Sequence, residues 1–192
     1  MALEKSNSFS SRSGFSLVET LVATTLMATA IVTLAELFAL STRTNVSSRN
    51  TTYAAVLAEQ KLEELRSLVW CFDTQGLPIS DTSSNTAVSP VEATGGTGLK
   101  PSATTTLKED TTGWVDYIDA YGNKISNAQN QQQQVVYTRR WSVTPLPTNP
   151  NNTLVLQVLV TRNKDRGQAN DGNVSRLPEE ARMIAVRTRK AQ

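Results

Sequence analysis

Glu19 is the residue whose placement most constrains the chemistry of this chain. It stands near the start of Phe15 to Leu40, a stretch that is almost wholly apolar or small. A carboxylate there is costly in lipid and persists where something pairs with it. The chemistry open to Glu19 is therefore ion pairing, not catalysis. Gly14 lies directly before the stretch, and Arg12 just upstream. Elsewhere the means for catalysis are sparse. There is no histidine, which removes the commonest general base, proton shuttle and zinc ligand together. Cys71 is the single cysteine, so no disulfide forms within the chain. There is no Gly-rich phosphate loop with a lysine and no nucleophile beside a base. The sequence points to no enzyme, no cofactor and no metal. Asp165, Asp171 and Asn173 share a loop, but their spacing does not match a calcium loop and reads as turn chemistry.

Two further groups of side chains invite a reading. Arg139, Arg140, Arg182, Arg187 and Arg189 could form a basic patch on a sheet, and with it a nucleic-acid contact. The net charge of only +2 favours a solvated sheet face instead. Glu36, near the far end of the apolar stretch, lies roughly 100° round a helix from Glu19 and reads as interfacial.

These residues must be carried by a long helix and a head. Phe15–Leu40 is long enough to span a bilayer core. An ordinary signal peptide cut after Ala28-Thr29-Ala30 is the first rival reading. Against it, Glu19 would sit inside the apolar region, and hydrophobicity continues through Ile31, Val32, Leu34, Leu37 and Phe38. A plain single-span anchor explains the length but not the placing of Gly14 and Glu19. No Gly or Pro interrupts the chain from Phe15 to Cys71. Beyond Leu40 the pattern turns amphipathic. Ala54, Ala58, Leu62, Leu65 and Val69 form an apolar stripe, with Glu59, Lys61, Glu63, Glu64 and Arg66 on the polar face.

Residues 73–113 are rich in Ser, Thr, Gly and Pro and read as a long surface loop with few core residues. Asn127 to Gln134 is an Asn/Gln tract that reads as a polar loop. Trp114 to Ile118 reads as a strand. Three alternating strands follow. Their inward rows are Val135, Tyr137, Trp141 and Val143, with Arg139 as the exception; then Leu154, Leu156, Val158 and Val160; then Ile184 and Val186. The fold class is α+β: a long N-terminal helix whose second half packs on a three- or four-stranded antiparallel sheet.

Gly14, Phe15 and Glu19, behind the basic residues Lys5 and Arg12, resemble the class III signal of type IV pilins and type II secretion pseudopilins. The stretch Ala58-Glu-Gln-Lys-Leu-Glu-Glu-Leu-Arg66 is similar to the long helix of minor pilins of the PilV kind and of minor pseudopilin I. The resemblance implies a leader of residues 1–14, cut by a prepilin peptidase between Gly14 and Phe15. It implies N-methylation of Phe15, and Glu19 as the fifth mature residue, paired with the Phe15 amine of a neighbouring subunit or its own. Residues 15–40 would then be the transmembrane and filament-core helix, 41–72 its amphipathic continuation, and 73–192 a head made of a variable loop (73–113) and a sheet (114–192). The implied partners are the peptidase, other pilin or pseudopilin subunits, an inner-membrane assembly platform and lipid. The implied location is the inner membrane, single-pass with a periplasmic head, and then a periplasmic or surface filament. Many major pilins break this helix with a proline; here none occurs before Pro78. The alternative role is a tip module whose head contacts DNA or a surface.

Overall fold

The computed structural model describes residues 14–125, 131–165, 177 and 179–190. The leader before Gly14, much of the Asn/Gln tract, and Asp171 and Asn173 lie outside them. The chain divides into two compact units, Met1–Asn45 and Val46–Gln192.

The first unit holds the start of α1, a helix that runs over Leu17–Ser67. It follows from a run of helix-compatible residues with no Gly or Pro to break it. Within the apolar stretch its side chains are exposed all round the helix. That part is long and apolar enough to cross a membrane.

The second unit is the head, in which the second half of α1 shares one core with a sheet. Ala54, Leu57, Ala58, Leu62 and Leu65 are buried with Trp141, Val143, Leu154, Leu156, Val158 and Val160. Four strands, β3 (Val115–Ile118), β4 (Tyr137–Pro145), β5 (Thr153–Arg162) and β6 (Ala181–Thr188), form an antiparallel meander in sequence order. The α+β class and the four-stranded sheet match the sequence reading.

Several details differ from it. The helix ends at Ser67, and Trp70–Phe72 is a strand, β1, paired with β2 (Pro78–Ser80). The amphipathic helix therefore does not reach residue 72. The aromatic and β-branched run Val69-Trp-Cys-Phe72 suits a strand better than a helix. Val69, assigned to the buried stripe, lies past the helix end and is exposed. Leu57 and Leu68, which flank that stripe, are buried.

The inward row of β6 is the opposite of that expected. Leu156 pairs with Ala185 and Val158 with Met183, so Ala181, Met183 and Ala185 share the core face. Ile184 and Val186 point away and are 59% and 61% exposed.

The segment 73–113 is more ordered than a surface loop. Asp81 accepts the backbone N–H groups of Ser83 and Ser84 at 3.0 Å, and the Leu99 N–H reaches the Asp81 carbonyl at 2.8 Å. Leu99, Thr86 and Thr106 are buried. Gly96 is required by contact: a Cβ there would lie 2.2 Å from Asn85 Cα. Where β3 stops short, Ser102 continues the edge of β4, its N–H on the Val143 carbonyl and its Oγ receiving the Val143 N–H.

Candidate functional site: the exposed helix start and the charged core of the head

Gly14 and Phe15 precede the first turn of α1, and Phe15 is 82% exposed. A side chain built on Gly14 would meet nothing within 4 Å, and its φ is not in the left-handed region. The fold therefore makes no demand for glycine at this position. Glu19 lies in the first helical turn, where the backbone N–H groups favour a negative charge. It is exposed, and among the described residues it has no ion-pair partner.

The polar side chains around it are handled locally. All seven threonines between Phe15 and Thr44 turn their hydroxyls back onto carbonyls three or four residues earlier. Thr20 donates to Leu17, Thr24 and Thr25 to Leu21, and Thr29 to Leu26. Thr33 donates to Ala30, Thr42 to Phe38 and Thr44 to Leu40, all at 2.9 Å. Such back-bonding leaves none of these threonine hydroxyls in need of water.

The five arginines proposed as a basic patch do not gather. Arg139 and Arg140 are neighbours on β4 and point to opposite faces. Arg139 is buried; its Nε and Nη2 donate to the two oxygens of Asp116, each at 2.9 Å, and its Nη1 to the Leu57 carbonyl at 2.8 Å. Arg140 is buried on the other face and paired with Asp110 at 2.7 Å. Arg187 closes the C-terminus of α1, donating to the Leu65 carbonyl at 3.0 Å and to the Leu68 carbonyl. Those carbonyls have no partner within the helix and draw a cation. The Arg189 guanidinium lies 3.5 Å from the Trp70 ring and donates to Cys71, Ile79 and Ser80, tying the β1–β2 hairpin to the end of the chain. Arg182 alone is exposed, 4.0 Å from Glu180. Cys71 is a half-buried free thiol.

One constellation escaped the sequence reading. Lys61, placed there on the polar face of the helix, is fully buried. Its Nζ meets Asp116 at 3.2 Å, Glu64 at 3.1 Å and the Thr86 carbonyl, and lies 3.7 Å from the Trp141 ring centroid. Lys124 joins the same group, donating to Glu64 and the Thr86 carbonyl at 2.8 Å and to the Val88 carbonyl at 3.0 Å. Burial brings the Lys61 ammonium down to about 8, with Asp116 and Glu64 offsetting only part of that cost. Burial alone would raise Asp116, but Lys61 and Arg139 outweigh it and hold the carboxyl below its ordinary range. An ionised Asp116 gripped by Arg139 is no electrophile or general acid. The cluster is a clasp joining α1, the 86–88 segment, β3 and β4.

No such cluster is announced by spacing, because its members lie on four separate elements. The sole cue was Arg139, a charge in an otherwise apolar inward row. Among the described residues no three His, Cys, Asp or Glu side chains are placed to hold a metal ion. Comparison with known proteins found no matching family model, no matching curated protein and no matching solved structure.

Proposed function

We propose that this chain is a prepilin-like structural subunit, a minor pilin or minor pseudopilin. A prepilin peptidase cuts it between Gly14 and Phe15, the Phe15 amine is methylated, and the product packs into a type IV pilus or type II secretion pseudopilus. The observation that carries this reading is the start of α1. An exposed apolar surface with internally bonded threonines follows directly on a glycine that the fold does not need. Before assembly, the apolar part lies in the inner membrane with the head in the periplasm. In the filament it packs against other subunits, and Glu19 finds its cation in a Phe15 amine. The assembly platform of the inner membrane moves the subunit from one setting to the other.

The role of the head is structural on this reading. Four of the five arginines that would have served a DNA-binding tip are occupied inside the fold. Few phosphates could be neutralised at once, so any DNA affinity is weak and lost at moderate salt.

Mass analysis of the N-terminal peptide from membrane-derived protein tests the proposal. A methylated Phe15 terminus is expected, and Gly14→Val abolishes it. A mature start at Ile31 would establish ordinary signal-peptide cleavage instead.

A further inference from the structure

A groove of about 500 Å³ opens on the head, lined by Val46, Arg49, Tyr53, Val56, Tyr137 and Arg162 among others. We propose that it receives the phosphate headgroup of an anionic phospholipid. The inference rests on the reading that the apolar part of α1 lies in a membrane.

Position is the first argument. Val46 is six residues along the chain past Leu40, the end of the apolar stretch.

Charge is the second. Arg49 is exposed, and no carboxylate bonds to it among the described residues. Arg162 pairs with Glu179 at 2.8 Å, and Asn50 donates to the same carboxylate at 3.0 Å. Lys164 also acts on Glu179. Among the described residues Glu179 is thus already engaged by Arg162 and Lys164, and Arg49 lines the same groove with its charge unmatched by a bonded carboxylate. An anionic headgroup close to basic side chains is the favourable match. The Arg49 guanidinium suits a phosphate diester, to which it can donate two parallel hydrogen bonds.

Shape and polarity are the third. The Tyr53 and Tyr137 rings meet at 5.4 Å and form an aromatic wall. Tyrosine is enriched where a membrane meets water, since its ring is apolar and its hydroxyl wet; that part falls to Tyr53, because Tyr137 is buried behind it. Val46 and Val56 are more than half exposed beside them and offer an apolar surface to the glycerol and upper acyl carbons. A nucleic acid would need several such cationic positions in a row; one phosphate needs one.

The test uses the full chain in mild detergent. Its thermal unfolding is followed while dioctanoyl phosphatidylglycerol, dioctanoyl phosphatidylcholine or inorganic phosphate is added. Phosphatidylglycerol should raise the midpoint, and the other two should not at equal concentration. Arg49→Gln should weaken the apparent affinity about five-fold, and Arg49→Lys should retain most of it. Equal effects of the two lipids, an equal effect of inorganic phosphate, or an Arg49→Gln variant that binds like wild type would overturn the proposal. Carbonate extraction from pure phosphatidylcholine vesicles separately reads membrane insertion. A chain that washes off sinks the membrane reading, while the titration still decides the groove.

Discussion

Arg139 and Asp116 are cross-strand neighbours on β4 and β3, and the guanidinium grips both carboxylate oxygens inside the core of the head. Fork-to-fork pairing of this kind fixes geometry as well as charge. It also places Asp116 where Lys61 of α1 must meet it. The sheet and the helix are thus registered by three side chains, none of which can change alone.

Breaking that pairing leaves an uncompensated buried charge. Asp116→Ala should destabilise the head by about 3–5 kcal/mol, as removal of one partner of a buried pair commonly does. Denaturant unfolding followed by tryptophan fluorescence would read this, since Trp141 sits beside the cluster. A loss under about 1 kcal/mol, the range of exposed ion pairs, would mean that water reaches the site.

Lys61 gives the head an alkaline signature. Its folded value of about 8 lies below its ordinary 10.5, so between those limits the unfolded chain binds more protons. Stability from this group is present above 10.5 and lost as pH falls through about 8, so it should rise with pH across that window. The groups facing Lys61 are Asp116, Glu64, Arg139 and Lys124. Asp116 behaves in the acid range as paired carboxylates do: its contribution is present above the ordinary aspartate range and lost as pH falls through its lowered folded value. Unfolding measured against pH for wild type and Lys61→Met should differ mainly in the alkaline window. Parallel curves there would contradict a buried Lys61.

Glu19→Ala should leave cutting after Gly14 intact and preserve membrane insertion, because removing a charge eases insertion. Incorporation into filaments should fall sharply when the charge partner is lost. Variant subunits that enter filaments as well as wild type would refute the pairing assigned to Glu19.

The register of β6 makes a simple contrast. Ile184→Ser, on the outward row, should change stability by no more than about 0.5 kcal/mol. Ala185→Asp, on the inward row beside Leu156, should unfold the head or nearly so. The reverse order, with Ile184→Ser the damaging change, would mean that the strand is slipped by one residue.

The sequence makes the helix, the meander and two of the three inward rows readable, because apolar periodicity records burial directly. It misleads where a charge is buried with a partner from another element. Lys61 looks like a solvent-face lysine until Asp116 is known to lie opposite. Arg187 makes the Ala181–Arg187 row look outward, although its guanidinium caps the helix end. The larger Ile184 and Val186 then attract the inward assignment. The proposed N-terminal site rests on local order instead: Gly14, Phe15 and Glu19 lie along one segment, and reading them needs no contact between elements.

The inward-turned threonines of α1 carry a consequence for the proposed move of this helix from membrane to filament. Every one of those hydroxyls has its partner within the helix itself. Passage from lipid into a bundle of like helices would exchange neighbours without exchanging a single threonine hydrogen bond. Apart from its two carboxylates, Glu19 and Glu36, the segment is a surface of nearly constant chemistry, and on the proposed reading any preference between the two settings would rest on those two charges.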